Sequence, residues 1–257
     1  MAQQIIDTTT DHGSSKGDPA PLAFKKVNDN FAETYAGRSS HIAGMTMDYV
    51  SGSSVQVSSG SVYIPSLDRV VDFPSAITKS GISLGANAWG HVYAYINGTT
   101  PDCEVSATAP GATYRGTART KAGDTSRRYV GSVRTDASGN IINFRHSLND
   151  VFYRANVLVP PFVVLSGGNA STGTNVSCSA LVPVTSKIAL LMATNGDPSI
   201  RLDLWNTEGA QSMAFVNGGN SSQIRAALSA SQAFMYAYAS APSGSANVRV
   251  TGYTYER

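Results

Sequence analysis

From residue 162 to residue 257 the chain breaks into about eight short apolar runs, spaced about 8–12 residues apart and separated by Gly, Ser, Asn and Asp turns. They lie near 162–165, 175–182, 187–194, 200–206, 212–217, 222–229, 232–240 and 247–256. Runs so short are below the length at which a helix holds itself together, and each can bury its apolar side only by pairing with neighbours. The spacing therefore predicts an antiparallel module, sandwich or jelly-roll-like. No exact internal repeat is visible, which argues against a long β-helix or a repetitive fibre shaft.

Residues 43–152 are also written in strands. Val55 and Val57, then Val62 and Ile64, alternate around Ser-Gly turns. The stretch from Trp89 to Ile96 places aromatics on one face and small or aliphatic groups on the other, and Asn97-Gly98 closes it with a turn pair. Arg128–Val133 and Ile141–Phe144 flank Asp136-Ala137-Ser138-Gly139-Asn140, the composition of a hairpin turn. Residues 153–161, ending in Pro160-Pro161, read as a linker. The expected fold is mainly β: an N-terminal arm with one short helix (1–42), a middle antiparallel module (43–152), the linker, and a C-terminal β-sandwich (162–257).

The helix is signalled by Asp18-Pro19, an N-cap followed by proline at the first helical position. Phe24, Val27, Phe31 and Tyr35 then recur at steps of three or four and form one apolar stripe, and Gly37 is the natural stop. A lone helix of this length must bury its stripe against the body, a second copy or another protein.

Charged residues are only 14% of the chain, against about 25% in an ordinary soluble domain, and Gly, Ser, Thr, Asn and Ala take their place. Such a surface suits tight turns and close subunit packing. A net charge of +2 gives no support to nucleic-acid binding. The start of the chain carries neither a basic region nor an apolar stretch of the secretory type, and no run is long enough to span a bilayer. The chain is thus expected to be made in a cytoplasm, without membrane insertion. Cys103 and Cys178 are expected to be two small buried residues.

The segment Gly17-Asp18-Pro19-Ala20-Pro21-Leu22-Ala23-Phe24-Lys25-Lys26-Val27-Asn28-Asp29-Asn30-Phe31-Ala32-Glu33-Thr34-Tyr35 resembles a motif of tail and tail-fibre proteins of tailed bacteriophages. The stretch 120–140 is similar to modules of phage fibre and minor tail proteins. The resemblance implies a virion protein, usually trimeric, whose N-terminal part fastens it to other tail or baseplate proteins and whose C-terminal part faces outward. Phe24, Val27, Phe31 and Tyr35 would then be the tail-attachment residues.

Residues for chemistry are sparse. None of His12, His41, His91 and His146 stands in a metal-ligand spacing, so no metal or other cofactor is expected. His91 reads as a packed, hydrogen-bonded side chain, and His12 and His41 as solvated. Asp102 and Glu104 alternate onto one strand face, where they read as solvated rather than as a glycosidase pair. No catalytic residue is assigned; a glycan depolymerase is the weaker alternative. Arg115, Arg119, Lys121, Arg127, Arg128 and Arg134 gather positive charge and read as outward-pointing, partly paired with Asp124 and Asp136.

At the C-terminal end, alternation sets Arg201, Asp203 and Trp205 opposite Ile200, Leu202 and Leu204. It likewise sets Arg249, Thr251, Tyr253 and Tyr255 opposite Val248 and Val250. Arg201, Trp205, Arg249, Tyr253 and Tyr255 are accordingly the candidate contacts for a bacterial surface glycan, a protein receptor or a neighbouring subunit. A purely architectural baseplate protein is the alternative within the virion.

Overall fold

The computed structural model describes residues 6–11, 13, 16–147, 149–207 and 212–257, except for the side chains of residues 30–37. The chain is mainly β, with one helix near its N-terminus and several antiparallel sheets.

Helix α1 (Ala20–Arg38) comes first. Six short strands follow: β1 (Ile42–Gly44), β2 (Met47–Ser51), β3 (Ser54–Val57), β4 (Gly60–Ile64), β5 (Arg69–Phe73) and β6 (Ile77–Lys79). Next come β7 (Trp89–Asn97), β8 (Thr100–Ser106), β9 (Pro110–Arg115), β10 (Ala118–Lys121), β11 (Asp124–Arg134), β12 (Phe144–Ser147) and β13 (Asp150–Tyr153). Strands β14 (Val163–Gly168), β15 (Thr174–Ser177), β16 (Ile188–Asn195), β17 (Leu202–Trp205), β18 (Ser212–Val216), β19 (Ser221–Ala227), β20 (Ala233–Tyr238) and β21 (Ala246–Thr254) complete the chain.

The first half holds two small sheets, β1-β4-β5 and β2-β3-β6, beside a five-stranded sheet ordered β8-β7-β11-β10-β9. The hairpin β7–β8 turns at Gly98, whose φ of 63° belongs to the left-handed region that glycine enters without penalty. In the second half a four-stranded sheet, β15-β20-β17-β18, packs on a larger one ordered β12-β13-β21-β16-β19, with β14 also beside β21. The two sheets meet through Phe234, Tyr236, Leu202, Leu204 and Val216 on one side and Leu191, Ala193, Val248 and Val250 on the other. Asn195 locks one end of this sandwich. Its amide donates to the carbonyls of Ile200 (2.8 Å) and Val216 (2.9 Å), and its oxygen accepts from Asp197 N (2.9 Å) and the Tyr238 hydroxyl (3.1 Å).

The expected division at residue 152 is not where the structure divides. The turn at Asp136–Asn140 forms as expected, with Asp136 Oδ1 accepting from Ser138 N and Asn140 N. The returning chain then leaves the middle module, and β12 and β13 join the C-terminal sheet. Residues 154–162 connect two strands, β13 and β14, that lie against the same edge of β21, so they link parts of one sheet rather than two domains.

One seam of aromatic rings binds the halves together. Tyr253 donates to Ser132 O (3.0 Å), Trp89 Nε1 donates to Ser179 O (3.2 Å), and Tyr255 stacks on Tyr129 with ring centroids 6.5 Å apart. This corrects the expectation for Tyr253 and Tyr255, which are 1% and 7% exposed and therefore face neither a receptor nor a neighbouring copy. The cause is a bulge. Gly252 pairs with Leu190, but Val250 pairs with Leu191, so Thr251 is an extra residue in β21. It reverses the alternation halfway along the strand, and Val248, Val250, Tyr253 and Tyr255 all turn inward.

Candidate functional site

The segment that opens the phage-like motif forms a clasp. Asp7 Oδ1 accepts from the backbone N–H groups of Thr9 (2.9 Å) and Thr10 (3.0 Å), Gly17 N donates to Thr10 O (2.7 Å), and Asp18 N donates to Asp7 O (2.8 Å). Asp18 does not cap the helix with its side chain: its carboxylate accepts from Asp7 N (2.8 Å) and Lys26 Nζ (2.6 Å). The carbonyl of Pro19 takes the first helical N–H groups, those of Leu22 and Ala23. Gly37 does not stop the helix, which runs to Arg38.

Of the expected attachment stripe, Phe24 is 68% exposed and Val27 is half-buried; the side chains of Phe31 and Tyr35 lie outside the described residues. Leu22, the third helical residue, is 43% exposed but points to a different side of the helix from Phe24. On the stripe itself, Phe24 is open to solvent and Val27 is partly covered.

Arg201 and Trp205 lie on the outer face of the four-stranded sheet. Arg201 pairs with Asp203 (2.8 Å) and stands 5.6 Å from the centre of the Phe215 ring, while Trp205 is half-buried beside Met235. Arg249 lies on the outer face of the other sheet, donating to Thr194 Oγ1 (3.3 Å). These expected contacts therefore fall on opposite sides of the sandwich and cannot form one site.

A different constellation occupies the outer face of the larger sheet. Arg145 pairs with Phe152, Phe152 with Gly252, Gly252 with Leu190, and Leu190 with Arg225. Directly opposed residues share a face, so these five make one row across β12, β13, β21, β16 and β19. Four strand spacings set its ends about 19 Å apart at the backbone. Gly252 leaves a trough at the middle; a β-carbon there would come within 2.1 Å of Val151 O, so the close strand approach itself excludes a side chain. Two adjoining depressions, of about 540 and 430 Å³, share the Phe152 ring. Val157, Gln223 and Thr251 wall the larger, and Ser147 and Arg154 the smaller.

Arg225 is fixed by Asp150 (2.7 and 3.2 Å) and Thr254 (2.7 Å), which engage three of its five N–H donors. Arg145 and Arg154 are exposed and, among the described residues, neither has a carboxylate within ion-pair distance. No sequence signal pointed to this row, because its members are 145, 152, 190, 225 and 252 and only the register brings them together.

The residues weighed for chemistry are drawn into structural roles. His91 Nδ1 lies 2.8 Å from Ser132 Oγ, which lies 2.8 Å from the Tyr129 hydroxyl, itself 2.8 Å from Thr185 Oγ1. A serine beside a histidine has the elements of a nucleophile and base. Here His91 and Ser132 are 4% and 1% exposed, and burial pushes the imidazole pKa down to about 4, so it is neutral and sealed from substrate. His41 is half-buried, with Nε2 2.8 Å from Ser61 Oγ, and His12 lies outside the described residues.

Asp102 and Glu104 are half-buried rather than solvated. Asp102 is bound by Lys79 (3.1 Å), and Glu104 by Lys121 (2.9 Å) and Arg127 (3.2 Å). Cys103 and Cys178 are buried and unbridged, and burial raises both thiols to about 12.

The basic cluster departs from its expected form. Arg127 covers the Tyr95 ring at 3.8 Å, and the Asp124 and Asp136 carboxylates accept from nearby backbone rather than from arginines. Arg128 is fully buried, donating to the carbonyls of Arg119 (3.2 Å) and Tyr129 (2.9 Å), with Nε and one terminal nitrogen unbonded. Desolvation lowers its pKa.

Neither a protein-family model, nor a curated protein, nor a solved structure matches the chain. Among the described residues no group of His, Cys, Asp and Glu could hold a metal ion, and no helix is long and apolar enough to cross a membrane.

Proposed function

We propose that the chain is a non-enzymatic structural protein of a bacteriophage tail, a tail-fibre or baseplate-attached component that works in the virion as a homotrimer. Residues 1–42 dock it onto neighbouring tail or baseplate proteins, and the sandwich is presented outward for host attachment. The observation that carries this reading is the clasp at Gly17-Asp18-Pro19. The residues that resemble the phage attachment motif are the ones that close the arm on itself and launch a helix with Phe24 68% exposed. Covering one such ring stabilises a contact by about 2 kcal/mol, and three copies acting together multiply a weak contact into firm attachment. The binding of the Asp102 and Glu104 carboxylates by cations supports a structural role for them.

The test is mass spectrometry of virions purified from the phage whose genome encodes this chain. The chain is expected there in a copy number divisible by three; its absence from purified particles would refute the proposal.

A further inference from the structure

We infer that the row Arg145–Phe152–Gly252–Leu190–Arg225 is a binding trough for an acidic saccharide. The inference deepens the proposed function by naming a ligand class, and it rests on that reading only for this face being turned outward.

Charge sets the first requirement. The trough brings together three guanidiniums, those of Arg145, Arg154 and Arg225, against one carboxylate, Asp150, in a chain where charged residues are only 14%. Arg225 is held rigid by Asp150 and Thr254 yet is itself exposed, so its two remaining N–H donors are presented at little entropic cost. The ligand is therefore anionic, with its acidic groups near the two ends of the row.

The middle of the trough sets the second. Phe152 is 40% exposed, an unusual degree for a phenylalanine within a strand, and it borders the gap left by Gly252. An aromatic face next to a shallow gap, with the Gln223 amide and the Thr251 hydroxyl on the wall, matches a ring that is apolar on its C–H face and hydroxylated at its rim.

A peptide is less well served. Extended peptides draw affinity from main-chain hydrogen bonds at a free sheet edge, or from side chains anchored in deep apolar pockets. The strands beneath the trough, β13, β21 and β16, are each paired on both sides, so their backbone groups are already used. What remains is side-chain chemistry around one ring platform.

The experiment is titration calorimetry of the purified full chain with a tetrasaccharide of alternating glucuronate and N-acetylglucosamine, against the neutral N-acetylglucosamine tetramer and a glutamate-rich octapeptide. The acidic saccharide is expected to bind with a dissociation constant of about 1 mM or tighter, and the neutral one at least tenfold more weakly. Phe152→Ala, and separately Arg145→Gln with Arg154→Gln, should each weaken binding at least tenfold without moving the thermal midpoint by more than about 2 °C. Arg201→Gln, on the opposite face, should change nothing. Equal binding of the neutral tetramer, no binding of the acidic saccharide, or preference for the octapeptide would each overturn the inference. Those outcomes leave the virion assay untouched, so the two failures are distinguishable.

Discussion

Gly17 approaches the carbonyl of Asp7 so closely that a β-carbon on it would come within 2.4 Å of that oxygen, and its φ of +75° lies in the left-handed region. Both facts demand glycine at the position that begins the Gly17-Asp18-Pro19 clasp. Gly17→Ala should therefore open the clasp. Limited proteolysis should cut residues 6–19 roughly tenfold faster in the variant, with the thermal midpoint of the β body unchanged, since the clasp is tied to the helix and not to the core.

Tyr253 provides a test of the bulge at Thr251. Were the alternation of β21 unbroken, Tyr253 would be a surface residue, and Tyr253→Ala would change stability by less than about 0.5 kcal/mol. Its ring is instead buried in the seam, and its hydroxyl donates to Ser132 O. Denaturant unfolding of Tyr253→Ala should show a loss of about 3–5 kcal/mol.

Most of the secondary structure was legible because alternation and turn chemistry are local. Val55 and Val57, the Trp89–Ile96 strand with its Asn97-Gly98 turn, and the apolar runs after residue 162 all lie in strands or their turns. The buried state of His91 was legible from its place in the strongest strand, and that of Cys103 and Cys178 from the tendency of free cysteine to be buried. Three things were not. A single extra residue, Thr251, inverted the faces of the last tyrosines, and nothing in the letters around it distinguishes a bulge from a regular strand. The departure of β12 from its hairpin partner is a choice between two sheets, settled by long-range packing. The binding row depends on the register of four strand pairings and leaves no trace in sequence spacing.

Asp197 supplies a pH dependence. It is fully buried at the end of the sandwich, and the backbone N–H groups of Ile200 (2.6 Å) and Ser199 (2.9 Å) hold its carboxyl well below the usual range, helped by Ser243 and Gly244. A carboxyl whose pKa is depressed on folding adds stability above its unfolded value, near 4, and that stability drains away as pH falls towards the folded value. The thermal midpoint should accordingly decline below about pH 4. Asp197→Asn should start lower at neutral pH, because an amide cannot accept all of these N–H groups. It should then decline less steeply in acid. Parallel midpoint curves between pH 5 and pH 2 would contradict this assignment.

The proposed attachment fastens the folded β body to the tail through the helix that carries the exposed Phe24. It is tested most directly by assembling virions with the full chain carrying Phe24→Ser and Val27→Ser, then quantifying it in purified particles. At least a tenfold fall in incorporation is expected, while the purified variant keeps its circular dichroism spectrum and thermal midpoint. Undiminished incorporation of the folded variant would contradict it.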